Sequence, residues 1–116
     1  MNIKYEKQSY LALYNIIDKF YTKDKNEFIA ELASEMCPYT FKDSISADSA
    51  VYEDFSDCLH FCFAESENED ISTAFNASIR FLKMYRDEFG FKIDDYIEQL
   101  SIDLYKNEFT KIVFNI

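Results

Sequence analysis

A single glycine and a single proline, Gly90 and Pro38, restrict this 116-residue chain to folds that need few tight turns. Sandwiches and barrels require turn chemistry at every hairpin, and glycine and proline supply much of it. Long helices do not. Apolar residues make up 48% and aromatics 18%, from twelve Phe and nine Tyr without Trp, so the chain is too apolar for disorder and its core must be rich in Phe. A chain of this length forms one domain, residues 1–116, and buries about two thirds of its unfolded surface. The expected fold class is all-α, a single-domain bundle of about five helices.

Apolar residues at steps of three and four predict those helices in turn. Tyr10, Leu13, Tyr14, Ile17, Phe20 and Tyr21 mark a first helix over 5–21. Phe28, Ile29, Leu32, Ala33 and Met36 mark a second, with Asp24 and Glu27 in the relation of a capping box and Pro38 ending it. A connection over 39–47 leads to Asp48 or Ser46 as cap of a third helix, which turns Val51, Phe55, Cys58, Leu59 and Cys62 inward and runs to about Ala64. ESENED, residues 65–70, is too polar to pack and reads as an exposed acidic loop. The fourth helix places Ile71, Ala74, Phe75, Ser78, Leu82, Tyr85 and Phe89 on its inner face and ends at Gly90, a left-handed cap. Asp94 is expected to cap a fifth, with Ile97, Leu100 and Leu104 inside. The acids Asp94, Asp95 and Glu98 suit the positive end of its dipole. The tail FTKIVFNI, rich in β-branched residues, fits either a last helical turn or a short C-terminal strand.

The opening MNIKYEKQSY has no signal-like apolar run, and no stretch of about 18 apolar residues occurs, so neither export nor a membrane span is expected. The expected compartment is the cytoplasm, where three cysteines remain thiols. Cys58, His60 and Cys62 invite a zinc reading. On a helix, however, His60 is turned about 200° from Cys58 at about 100° per residue, so the three do not converge, and no metal or other cofactor is expected. No enzyme is expected either: His60 is the chain's one histidine, no glycine-rich oxyanion turn or phosphate loop exists, and the Asp94–Asp95 pair reads as helix-start chemistry.

Charge is the remaining signal. Residues 1–42 hold six bases and six acids, and residues 80–116 hold six bases and seven acids. Between Asp43 and Ile79 there are nine acids and no Lys or Arg, which accounts for nearly all of the formal net charge of -10. Such a surface disfavours direct nucleic-acid binding and favours a cationic protein partner. With the third helix centred inward on Phe55 and Cys62, its solvent side carries Glu53, Asp57, His60, Phe61 and Ala64, with Asp54 on the flank. Phe61 is the candidate anchor. Glu53, Asp54, Asp57, His60, Glu65, Glu67, Glu69 and Asp70 form its candidate rim, since interfaces commonly rest on a central aromatic ringed by polar groups. Tyr39 and Tyr52 are secondary contact candidates. Glu53 and Asp57 repel across one helical turn, at a cost of roughly 0.2–0.5 kcal/mol. The competing reading buries Phe61 and lets Arg80, Lys83 and Arg86 neutralise the acids within the molecule.

In size, helical pattern and the acidic stretch from Asp43 through FSDCLHFCF to ESENED, the chain resembles the immunity proteins of bacterial toxin systems, of the contact-dependent growth inhibition and nuclease bacteriocin types. The resemblance is one of overall character, without a residue-by-residue signature. It implies a protein that binds and neutralises a cognate toxin, commonly a nuclease, by covering its active site or a nearby exosite. The alternative function is a nucleic-acid-mimicking regulator or adaptor that inhibits a host enzyme.

Overall fold

Six helices occur in the computed structural model, which describes residues 5–39, 45–67 and 70–115. They are α1 (Glu6–Asp24), α2 (Glu27–Met36), α3 (Ser49–Ser66), α4 (Ile71–Phe89), α5 (Asp94–Leu100) and α6 (Asp103–Asn115). The all-α class is as expected, with one helix more than the sequence suggests and no strand among the described residues.

α1 is the central element and packs against α2, α3, α4 and α6, while α3 and α4 make the most extensive helix pair. The inner side of α1, with Tyr10, Leu13, Ile16, Ile17 and Phe20, is buried. A chain of edge-on and tilted rings runs through the core from Tyr10 to Phe55, Phe81 and Tyr85, with centroid spacings of 5.5, 5.8 and 4.7 Å. Such aromatic geometry adds about 0.5–1.5 kcal/mol per pair beyond area burial. The radius of gyration, 13.1 Å, agrees with about 13 Å for one domain of this length.

Local chemistry explains most helix ends. Pro38 stops α2 after Met36, and the buried Tyr10 hydroxyl donates to the Met36 carbonyl, which the end of the helix would otherwise orphan. Asp48, rather than Ser46, caps α3 by accepting from the Ala50 amide at 3.0 Å. Gly90 adopts φ 73° and closes α4, as expected.

Four boundaries differ from expectation. α1 runs on to Asp24, so that residue cannot open α2; Asn26 does, accepting from the Phe28 and Ile29 amides at 2.9 and 3.1 Å. Asp24 instead accepts from the Tyr96 hydroxyl at 3.1 Å. Ile93, not Asp94, precedes α5, and Arg86 engages the Asp94 carboxylate at 3.0 Å. α3 continues to Ser66, which places Glu65 and Ser66 on the helix rather than in a loop; Asn68 and Glu69 lie outside the described residues.

The fourth difference is the break between α5 and α6. At Ser101 and Ile102 the backbone amides bond three residues back, to Glu98 and Gln99, tightening the last turn before the chain restarts as α6. Leu104, expected inside, is therefore 67% exposed, and α6 packs through Phe109 and Val113. The tail is helical, not a strand: Phe109, Ile112 and Val113 share the helical face that meets the core, and burial there outweighs the β-propensity of Ile and Val.

Candidate functional site

Because α3 faces α4 on one side, its opposite side is open. Phe55, Cys58, Leu59 and Phe63 point into the core, and that spacing leaves Glu53, Asp57, Phe61, Ala64 and Glu65 exposed. Positions 53, 57, 61 and 65 follow one another at four-residue steps, a rise of about 6 Å each along the helix. Phe61 is 46% exposed. The Arg80 guanidinium, reaching from α4, sits 3.9 Å from its ring centroid. This cation–π contact holds the ring in place and is worth about 0.5–1 kcal/mol at an exposed site.

The competing reading is therefore half met, since a base from α4 does reach α3, but it lies on the ring rather than on the acids. Arg86 is occupied elsewhere, at 2.7 Å from Asp87 and 3.0 Å from Asp94. Among the described residues, Glu53, Asp57, Glu65 and Glu67 take part in no ion pair.

Asp54, His60 and Asp70, also predicted for the site, have structural partners. Asp54 is half-buried and accepts from the Tyr85 hydroxyl at 2.9 Å. Burial, followed by that carboxylate, pushes the Tyr85 phenol up, so it stays protonated and donates to Asp54. Asp70 caps α4 by accepting from the Thr73 amide at 2.9 Å. Glu69 lies outside the described residues. His60 is not fully turned to solvent as the helical wheel suggests: its Nε2 lies 3.4 Å from Glu6 Oε1 and it is half-buried. The same carboxylate accepts from the Ser56 hydroxyl at 2.7 Å and the Tyr52 hydroxyl at 3.0 Å, so residues 52, 56 and 60 of α3 clasp the first residue of α1. Here a carboxylate stands between serine and histidine, whereas a nucleophilic triad needs the histidine in the middle. Tyr52 thus serves this clasp, while Tyr39 is exposed and meets Tyr14 edge-on at 6.2 Å.

Cys58 is buried, and burial pushes its thiol up to about 11; burial raises the Cys62 thiol as well. Neither has the thiolate character of an activated nucleophile. Among the described residues no group of three or more His, Cys, Asp and Glu is placed to hold a metal ion.

Glu67 is distinctive. It closes α3 in the left-handed conformation at φ 57°, where glycine is preferred, and it adds an acid at the negative end of the helix dipole. Both local effects oppose it.

The sequence did not disclose a groove where α2, α3 and α4 meet, because its walls come from distant segments. Its cavity, about 420 Å³, is lined by Glu31, Glu35, Asp48, Asp54, Tyr85, Phe89 and Phe91, together with Ala50 and Val51. Phe89, expected in the core, stands 56% exposed at its mouth.

The molecule is thus an all-helical globule with an open acidic helix face and no described helix long and apolar enough to cross a membrane. No family model matches the chain, and comparisons with curated proteins and with solved structures give no match.

Proposed function

We propose that this protein is an immunity protein: a non-enzymatic, cytoplasmic inhibitor that binds a basic toxin domain, of nuclease type, through the outer face of α3. The observation that carries this reading is the row of acids, Glu53, Asp57 and Glu65, set around the half-exposed Phe61 without an ion-pair partner among the described residues. Like charges in a row raise the energy of the free protein, and a cationic surface relieves that repulsion on binding. Glu67 adds support as a further acid, at a position that local backbone and dipole both disfavour.

The mechanism has two parts. The acids accelerate encounter with the basic partner by long-range attraction, and Phe61, held by Arg80, then buries its exposed half in the interface and slows dissociation.

Co-expression with the product of the neighbouring reading frame tests the reading in cells. If that product halts growth, wild-type protein restores it, and the variant Glu53→Lys/Asp57→Lys/Glu67→Lys, folded by circular dichroism, does not. Equal rescue by the triple variant contradicts the acidic-face mechanism. A neighbouring product without toxicity, together with inhibition of a host nuclease, would replace immunity with nucleic-acid mimicry.

A further inference from the structure

The groove between α2, α3 and α4 combines two features that select one kind of occupant. Its wall is one exposed ring on a buried aromatic base: Phe89 packs edge-on against the buried Tyr85 at 4.9 Å, Tyr85 meets the buried Phe91 at 5.6 Å, and the buried Val51 lies beside them. Phe89 keeps more than half its surface exposed although it belongs to the same ring cluster. Its rim is anionic: Glu31 and Glu35 come from α2, Asp54 from α3, and Asp48 from the α3 cap, with no Lys or Arg among the lining residues. The rim acids crowd one another; burial, then Glu31 and Asp48, raise the Glu35 carboxyl above its ordinary range. The space, about 420 Å³, falls within the range of small-ligand pockets, about 300–1,000 Å³.

An apolar occupant would fill the wall and leave the carboxylates desolvated without compensation. A small inorganic cation would satisfy the rim and waste the wall. A guanidinium satisfies both, because it stacks flat on aromatic rings while its five N–H groups reach carboxylates around its edge. We infer that this groove receives an arginine side chain presented by the protein partner, with the cation against the exposed Phe89 ring and its donors toward Glu35 and Asp54. The inference rests on the partner reading above and extends it. Asp54 sits next to Glu53 in sequence and about 100° around α3, so the groove adjoins the acidic row and one partner can engage both.

The probe is a capped Ala–Arg–Ala peptide titrated into the full-length, nitrogen-15-labelled protein, with its neutral citrulline counterpart and spermidine as comparisons. The arginine peptide is expected to shift the amides of Ala50, Val51 and Phe91 saturably, and the citrulline peptide to leave them in place. Glu35→Gln/Asp54→Asn, which keeps an acceptor for Tyr85, is expected to weaken this binding at least tenfold. Phe89→Ala, at a half-exposed position and checked for folding by circular dichroism, is expected to weaken it as well. Shifts scattered over all acidic surfaces, equal shifts from citrulline, or spermidine filling the groove in place of the peptide would overturn the inference. Glu53→Lys/Asp57→Lys separates the two proposals. If it abolishes toxin binding while the groove ignores the peptide, only the groove inference fails; if the groove binds arginine while that variant leaves toxin affinity unchanged, only the α3-face mechanism does.

Discussion

α1 and α3 end in the same way and with opposite chemistry. Each closes on a non-glycine residue in the left-handed conformation, Lys25 at φ 56° and Glu67 at φ 57°. At the end of α1 the lysine suits the negative pole of the helix, and its ammonium lies 4.6 Å from the Tyr21 ring centroid. At the end of α3 the glutamate faces the same pole with the wrong sign. The contrast extends to whole regions. Outside residues 43–79 several acids have partners: Glu108 pairs with Lys19, Asp87 and Asp94 with Arg86, Asp24 holds Tyr96 and Glu6 holds Tyr52 and Ser56, while others, Glu31 and Glu35 among them, have none of this kind among the described residues. Within that stretch some acids cap helices or hold Tyr85, but Glu53, Asp57, Glu65 and Glu67 serve no described contact of this kind. The difference between the regions is that bases lie among the acids outside 43–79 and none lies within it, so the row on α3 carries its like-charge cost without a nearby Lys or Arg in sequence.

Both regions rest on one core, and the largest expected effect lies there. Phe81 is fully buried between Phe55 and Tyr85, so Phe81→Ala should destabilise the protein by about 3–5 kcal/mol in urea unfolding. A loss under about 1 kcal/mol would mean that the ring chain is not the scaffold described here.

Replacing the two caps sharpens the contrast directly. Glu67→Gly removes both the backbone strain and the misplaced acid, and should stabilise by about 1 kcal/mol while weakening the partner complex. Lys25→Gly relieves the strain but loses the favourable charge and the Tyr21 contact, so its net effect should stay within about 0.5 kcal/mol of zero. Equal gains at both positions would break the argument.

The smallest effect concerns Glu35. Its carboxyl is raised in the folded protein by burial and by Glu31 and Asp48, so the folded state holds the proton more tightly than the unfolded state. Above that range the charged form costs stability, and the cost fades as the pH falls and the group takes up its proton. Glu35→Gln should therefore raise Tm slightly at neutral pH, with the gain shrinking under acid conditions. A gain that grows as the pH falls contradicts the assignment.

Features written in neighbouring residues were legible in the sequence. Gly90, Pro38 and Asp48 act on their own turns, and the exposed row at 53, 57 and 61 follows from helical periodicity once Phe55 and Leu59 are inside. Choices decided by distant contacts were not. Asp24 and Asn26 are both good caps, and how far α1 extends settles which one opens α2. The α5–α6 break carries no glycine or proline and exists because α6 packs back on α1. His60 turns toward Glu6, and the groove needs α2, α3 and α4 together; no local pattern encodes either.

The central claim is that α3 recruits a basic partner by charge and then holds it by Phe61. Stopped-flow association with the proposed toxin partner, run from low to high salt, tests it most directly. The account predicts that the wild-type association rate falls at least about tenfold across that range, and that Glu53→Lys/Asp57→Lys/Glu67→Lys begins slow and loses the salt dependence. A wild-type rate indifferent to salt, or a triple variant that associates as fast as wild type, would contradict it.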